Sequence, residues 1–464
     1  MLKDTKNVYF VGIGGIGMSA IARWFNTQGC IVAGYDRSPT PLTDALISEG
    51  MQIHFEDDPE LIPEVFRKSP LSDHLIIYTP AIPKDQKELN FFKSGNYTLK
   101  KRAEVLGMIT KDYFTIAVAG THGKTTTSSM IAHILHNSPK SCTAFLGGIM
   151  QNYSSNLLLS KASDKETLMV VEADEYDKSF LQLHPDYAVI TSMDADHLDI
   201  YGDKNHMRAT FIEFAKKIHN NGRLFIKNDL DLNQTGEESS PVCEKYALTG
   251  EADYVAESIR IEDGIFHFDF ISYKEKIRDL SLQMAGFHNV ENAIAAIAVC
   301  ANLGVDTETI REALASFRGV ERRFDYIIKS KKIAFIDDYA HHPREIEALL
   351  KSVREMYPGK KITAIFQPHL YSRTRDFAEG FAESLSLCDE LFLLDIYPAR
   401  ELPMEGVSSQ IILDKVTIDA KQICSKEDLL RQLEVLDIDV ILTIGAGDIA
   451  LMIDKIKAIM LKKS

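Results

Sequence analysis

The sequence predicts an α/β chain of three domains built on mostly parallel sheets. Apolar runs of strand length alternate with helical patterns almost throughout, as expected of successive strand–helix units. Two of those units carry glycine-rich turns where strand gives way to helix: "VYFVGIGGIGMSAIA" at residues 8–22 and "IAVAGTHGKTTTSS" at 116–129. The length, 464 residues, exceeds what one ordinary core holds and sets the expectation at two or three domains.

The first block, 1–107, has strands at "NVYFVG", "CIVAGYD" and "HLIIYTP", and a helix at "KKRAEVLGMI" leads out of it. Its glycine turn between strand and helix makes it Rossmann-like. The central block, 108–319, begins with "DYFTIAVAG" and continues through "ETLMVVEAD", "PDYAVITSMDADH" and "GRLFIKND". A polar stretch, "DLNQTGEESSP", follows, and "GIFHFDFISYKEKIRDLSLQ" then alternates like a hairpin. A helix at "HNVENAIAAIAVCANLG" ends at Gly304. Strand, glycines, lysine and helix in that order make the block P-loop ATPase-like, with a mostly parallel sheet. The third block, 320–464, starts near "GVERRFDY". Its strands, "KIAFIDDY", "KITAIFQ", "ELFLLDI" and "VILTIGAG", are separated by helices and predict a smaller doubly wound α/β domain.

Composition narrows the function. Hydrophobic residues make up 45% and charged residues 26%, values of a soluble globular protein. A net charge of -15 argues against broad nucleic-acid binding, which needs a basic face. Anionic substrates would therefore need local clusters of Arg and Lys. The start, "MLKDTKNVYF", lacks the apolar core of a signal peptide, and no window approaches a membrane span. The six cysteines are scattered without a CxxC pair and read as reduced thiols of a cytoplasmic protein.

The turn "GTHGKTTT" brings Gly120, Thr121, Gly123, Lys124, Thr125 and Thr126 to a helix start. Backbone N–H groups there grip phosphate oxygens, Lys124 adds a point charge, and the Thr125 hydroxyl is suited to Mg²⁺. The loop is shorter than the full pattern, with Val118 where a glycine is wanted, and it carries His122. In "VGIGGIG", Gly12, Gly14 and Gly17 satisfy G-x-G-x-x-G, with Gly15 between them, and Asp36 ends the next strand. That pattern places a diphosphate on a helix N-terminus and an acid near a ribose. A dinucleotide and a UDP-sugar both offer these groups, and a tight turn without a ligand also fits.

Two acidic strand ends follow. Glu172 closes an apolar run in "LMVVEADEYD", and Asp194, Asp196 and His197 close "YAVITSMDADHLD". Ligands of an open parallel sheet lie beyond the carboxyl ends of its strands, so Thr125, Glu172 and His197 can converge on Mg²⁺. Histidine is an unusual ligand for an ion that prefers oxygen, and a surface or capping role for His197 stays open. Asp174, Asp177 and Asp199 read as solvated loop acids or caps. In "HNVENA", Asn289 and Asn292 stand one turn apart, to read an adenine edge or, for Asn289, to cap the helix. The third block supplies the cations: Arg322, Arg323, His341, His342, His369, Arg373 and Arg375, all at strand ends or in the loops after them. "TIGAGDI" is a further glycine turn of the kind that holds phosphate, though a simple turn is the better reading.

Together, "GTHGKTTT", "EADEYD", "DADHLDIYG", "HNVENAIAA", "RRFD" and "DDYAHHPREI" resemble the motifs of the Mur ligases, ATP-dependent amide-forming enzymes of peptidoglycan precursor synthesis. The resemblance spans nearly the whole chain. "GIGGIGMSAIA", the histidine in "GTHGKT", the double histidine in "DDYAHHP" and "FQPHLYSRTRD" are most similar to the alanine-adding branch. It implies a first domain that binds the UDP of UDP-N-acetylmuramate, a central one for ATP, and a third that closes over both. It implies that the lactyl carboxylate takes the γ-phosphate as an acyl phosphate, which L-alanine then displaces. Gly12, Gly14, Gly15, Gly17, Asp36 and His122 then face the UDP-sugar. Gly120, Thr121, Gly123, Lys124, Thr125, Thr126, Asn289, Asn292, Arg323 and Asp338 face ATP. Thr125, Glu172 and His197 hold Mg²⁺, as two ions. Tyr339, His341 and Arg373 surround the amino acid, and the catalytic set is Lys124, His122, Glu172, His197 and Arg323. The expected partners are these small molecules, with neither nucleic acid nor membrane, for a monomer or homodimer.

Two positions depart from relatives. Some have an arginine where this chain has Leu370. Siblings that add later residues carry a carbamylated lysine where this chain has Phe211. Three other readings compete: a dehydrogenase from "GIGGIG" alone, a non-enzymatic nucleotide switch, and a relative that adds a preformed tripeptide.

Overall fold

The computed structural model describes residues 2–68, 71–161, 166–194, 201, 203–230, 232, 241–262, 264–399 and 401–463. The chain divides into two compact units, 1–255 with 292–313, and 256–291 with 314–464.

The first unit holds two sheets. One consists of β1 (Asn7–Val11), β2 (Ile31–Tyr35), β3 (Gln52–His54), β4 (His74–Tyr78) and β5 (Leu99–Lys101), in the order β3-β2-β1-β4-β5. All its pairings are parallel. The order reverses beside β1, so the crevice beyond β1 and β4 is where such a sheet takes a ligand. Every residue of β1 is buried, because helices cover both faces. Helix Ile16–Thr27 lays Met18, Ile21 and Phe25 into one layer, while Tyr9 meets Phe66 and Phe92 in the other.

The second sheet begins with β6 (Phe114–Ala119), β7 (Cys142–Met150), β8 (Ser155–Leu158), β9 (Leu168–Glu172), β10 (Tyr187–Ile190), β11 (Arg223–Lys227) and β12 (Val242–Tyr246). Their order is β12-β11-β10-β6-β9-β7-β8, with only the β7–β8 pair antiparallel among them. β6 is central, and β9 and β10 flank it. The glycine turn after β6, Glu172 at the end of β9 and Thr191 after β10 therefore share one edge. Helix Lys124–His136 behind the turn is buried from Thr125 to Leu135. β13 (Tyr254–Glu262) joins through Tyr254 beside Tyr246.

The second unit holds the hairpin β14 (Ile265–Ser272) and β15 (Lys276–Leu282), antiparallel as its alternation predicts. Its own sheet comprises β16 (Asp325–Lys329), β17 (Ala334–Asp338), β18 (Ile362–Phe366), β19 (Glu390–Leu393), β20 (Lys421–Ile423) and β21 (Val440–Ile444). The order is β16-β17-β21-β18-β19-β20, parallel apart from β16. Sequence spacing assigns 256–291 to the central block, yet these residues fall in this unit. Here Gly286 leaves room for the Ser352 hydroxyl, which an added Cβ would approach to 2.9 Å. None of the six cysteines forms a disulfide. No helix among the described residues is long and apolar enough to cross a membrane.

Candidate active site

The turn after β1 is closed by its own neighbours. Gly12 sits at φ +91, where a side chain is strained, and its N–H donates to the Tyr35 carbonyl at 2.8 Å. Gly14 N–H donates to Asp36 Oδ2 at 2.7 Å, and Arg37 N–H to Asp36 Oδ1 at 2.7 Å. The acid that the spacing assigns to a ribose thus also ties the turn to the end of β2. Gly17 makes room for Arg102: an added Cβ would lie 2.8 Å from its Nη1. A cavity of about 280 Å³ opens at this turn, lined by Gly15, Gly17, Thr79, Arg102, Glu172 and Asp174 among others.

The turn after β6 is tighter. Gly120 has φ +132 and Gly123 φ +79, and added Cβ atoms would meet Thr191 Oγ1 at 2.2 Å and Asn292 Oδ1 at 2.7 Å. That places Asn292 against the turn. Thr121 Oγ1 meets Ser192 Oγ at 2.9 Å and accepts from Asp194 N–H at 2.9 Å. His122 N–H donates to Ser192 Oγ at 2.7 Å, and its Nε2 lies 3.4 Å from Asp194 Oδ2. Lys124 Nζ donates to the Gly120 carbonyl at 2.6 Å and to Glu175 Oε1 at 2.9 Å. Burial opposes the lysine's charge, but Glu175, Glu172 and Asp174 outweigh it and push the Lys124 pKa above its ordinary value.

Glu175 is the functional residue that sequence reading misses. It is 1% exposed, and its carbonyl accepts from Tyr201 Oη at 2.6 Å. The reading of Asp174 and Asp177 as solvated acids or caps is incomplete. Asp174 pairs with Arg102 at 3.0 Å and Asp177 with Lys101 at 3.0 Å, besides accepting nearby backbone N–H at Asp174 Oδ1. Among the described residues, no hydrogen-bond partner reaches the buried Glu172 Oε2. It nests against Gly147, where an added Cβ would lie 2.3 Å from both carboxylate oxygens. Among the described residues, no group of three or more His, Cys, Asp or Glu is placed to hold a metal ion. Asp196, His197 and Asp199 lie outside the described residues.

In the second unit, the carboxyl ends of β17, β18 and β21 gather the expected cations. Arg322 Nε donates to buried Asp337 at 2.9 Å, and its Nη2 to the Gly445 carbonyl at 2.6 Å. The Arg322 and Arg323 guanidiniums sit 5.2 and 5.1 Å from the centre of the Tyr339 ring. Asp338, expected at a nucleotide, accepts Phe324 N–H at 2.7 Å and Ala340 N–H at 2.8 Å. Burial, against the pull of Arg323 and those N–H groups, raises its pKa to about 6. His341 Nδ1 meets the Tyr339 carbonyl at 3.0 Å. Arg373 is buried and its Nη1 lies 3.3 Å from His369 Nδ1. Leu370 takes a left-handed φ of +71 at the start of helix Tyr371–Asp376. The cap reading of Asn289 fails, because helix Phe287–Asn302 starts two residues earlier and the Asn289 amide donates back to Ala285 O at 2.6 Å. Phe211 is wholly buried against Phe180, 5.2 Å between ring centres.

Comparison with known proteins agrees along the chain. Residues 7–114 match the Mur ligase family, catalytic domain; 118–300 match the Mur ligase middle domain; 322–447 match the Mur ligase, glutamate ligase domain. The UDP-N-acetylmuramate–L-alanine ligase of Flavobacterium johnsoniae is 53% identical over 99% of both chains. That of Cytophaga hutchinsonii is 50% identical over 98% of this chain and 97% of its own. Among solved structures, the UDP-N-acetylmuramate–alanine ligase MurC of Thermotoga maritima matches with TM-score 0.81 and 29% identity, over 99% of this chain and 100% of that one. A murein peptide ligase of Psychrobacter arcticus shares the fold, with TM-score 0.71 and 22% identity over 98% of each chain. With two glycine turns on parallel sheets, an acid loop beside the lysine and family matches on all three sheets, the chain belongs to the Mur ligase family.

Proposed function

We propose that this chain joins L-alanine to the lactyl carboxylate of UDP-N-acetylmuramate at the expense of ATP, giving ADP and phosphate, in peptidoglycan precursor synthesis. The observation that carries this is the pair of phosphate turns in one unit, with Arg102 lining a cavity at the first and Lys124 starting the helix after the second. The full-length identity to alanine-adding relatives supports the choice of substrates.

A carboxylate is a poor acyl donor until one of its oxygens belongs to a phosphate leaving group. The lactyl carboxylate attacks the γ-phosphorus and ADP leaves. The alanine amine then attacks the acyl carbon, and phosphate leaves from a tetrahedral intermediate. Lys124 and the N–H groups of 120–126 hold the transferring phosphoryl group. His122, beside Asp194, faces the reacting carboxylate. Asn292 sits at the nucleotide, Arg323 at the γ-phosphate, and Tyr339, His341 and Arg373 around alanine.

Mg²⁺ fits the residues present, because the buried Glu172 oxygen has no hydrogen-bond partner among the described residues and a hard cation takes such an oxygen. Glu172 and Thr125, with His197, would hold it, and when bound it offsets charge on the phosphoryl group. We assign 1–107 to the sugar nucleotide, 108–319 to ATP and 320–464 to the amino acid, in a cytoplasmic monomer or homodimer.

Phosphate release with ATP, Mg²⁺ and UDP-N-acetylmuramate, scanned over L-alanine, glycine, L-serine and the murein tripeptide, tests this. L-alanine should give the highest turnover. Turnover that ignores the UDP-sugar would sink the ligase reading, and turnover with the tripeptide alone would make this a recycling enzyme.

A further inference from the structure

The cavity at the first glycine turn has a lopsided charge. Its lining offers two acids, Glu172 and Asp174, and one cation, Arg102. A diphosphate entering that space meets two carboxylates, and of the charged lining residues only Arg102 can pair with it. The guanidinium is already poised there. It lies across the first turn of helix Ile16–Thr27, where only the missing side chain of Gly17 admits it, and its Nη2 donates to Asp174 Oδ2 at 3.0 Å. That glycine therefore serves the arginine rather than the close helix–strand packing for which the third glycine of such motifs is usually kept.

Asp174 has a second connection. Its chain neighbour Glu175 holds Lys124 at 2.9 and 2.8 Å through its two oxygens. Just beyond, Asp177 and Lys178 both take left-handed backbone, φ 52 and 56, a conformation that side chains other than glycine's rarely adopt. Asp177 is meanwhile tied to Lys101, next to Arg102. A short, strained loop thus touches the sugar-nucleotide cradle through one acid and the ATP cradle through the next.

We propose that Arg102 binds the diphosphate of the sugar nucleotide by exchanging Asp174 for the ligand, and that the released acid loop passes this event to Lys124 through Glu175. The proposal rests on the sugar-nucleotide reading given above. Arg102 is a binding residue, while Asp174 and Glu175 are positioning residues that act through it and through Lys124. A guanidinium suits the exchange, since it offers the same paired N–H groups to a carboxylate and to a phosphate.

Calorimetry on the full chain tests it, with UDP-N-acetylmuramate, UDP and a non-hydrolysable ATP analogue as probes, and melting curves to confirm folding. Arg102→Lys should weaken UDP and UDP-N-acetylmuramate at least about tenfold. Asp174→Asn keeps Oδ1 for the Tyr176 N–H but loses the charge that competes for Arg102. It should tighten both ligands by about threefold or more and abolish the effect of UDP-N-acetylmuramate on the affinity for the ATP analogue. A loss of affinity in Asp174→Asn like that in Arg102→Lys would show a merely structural pair and overturn the proposal, as would unchanged coupling. Wild type that binds UDP but not UDP-N-acetylmuramate would fail the proposed function and leave the Arg102 assignment to the UDP measurements. Wild type that binds neither sinks both.

Discussion

After β1 an acid reaches into the glycine turn and ties it down; after β6 an acid reaches past the turn and ties down its lysine. Asp36 takes the N–H of Gly14, so the first cradle is organised by a side chain from the next strand of its own sheet. Glu175 takes the ammonium of Lys124, so the second is organised by charge delivered from β9's far end. The first arrangement fixes a shape, and the second fixes the place of a cation. Turns that read alike as glycine patterns therefore separate by what their neighbouring acid grips.

That contrast can be broken most sharply at Lys124. Lys124→Ala should cut phosphate release by at least about 10³-fold, while UDP-N-acetylmuramate affinity without nucleotide changes less than about twofold. A parallel loss in calorimetry would merge the two cradles into one. Next comes a pair of glycine changes. Gly123→Ala meets both φ +79 and Asn292 Oδ1 at 2.7 Å, and should weaken the ATP analogue with a stability cost of about 2–3 kcal/mol. Gly14→Ala meets Asp36 Oδ2 at 2.8 Å and should weaken UDP instead, leaving the ATP analogue unaffected. Crossed effects in these two titrations would erase the division of labour.

Glu175→Gln should lower stability by about 2 kcal/mol in urea unfolding, because buried Lys124 keeps its charge and loses the acid hydrogen-bonded to it, with Glu172 and Asp174 left to offset part of the loss. An unchanged midpoint would mean that the lysine does not depend on it.

The smallest effect concerns a carboxylate that no lysine or arginine among the described residues pairs with. Glu88 is fully buried, its Oε2 accepts from Tyr9 Oη at 2.6 Å, and His54 Nε2 lies 3.4 Å from its Oε1. Burial raises its pKa from 4.5 to about 7, with the help of the Asp57 charge and against the hydrogen bonds from Tyr9 and the Asp58 backbone. The folded state thus holds the proton more tightly, so this contribution to stability is full below pH 4.5 and is lost as pH rises through 7. Glu88→Gln should shrink the stability difference between pH 5.5 and 8 by about 1–2 kcal/mol in urea melts. An identical pH profile in wild type and variant would remove Glu88 from the account.

Sequence periodicity marks β1, β6, β9 and β21 because each is a run of apolar residues ended by a turn. It passes over β3, β5 and β20, which are three residues each and too short to show a period. β7 is interrupted by two glycines and β8 reads "SNLL", so neither alternates. Within the site, glycines and Lys124 are legible because their spacing is fixed by local backbone geometry. Glu175 is not, since "EADEYD" offers four acids and the lysine that ranks them lies 51 positions away. Arg102 is hidden for a related reason: as the first residue of a helix it resembles any solvated cation until Gly17 and Asp174 stand beside it.

Gly147 contributes to the site only the absence of a side chain. The Glu172 carboxylate occupies the volume that a methyl group there would claim. A side chain at 147 would therefore have to move the Glu172 carboxylate, although no substrate contact is assigned to the glycine. For a compound that binds through Glu172, a replacement at 147 that displaces the acid from the compound also displaces it from the place where the proposed Mg²⁺ would sit.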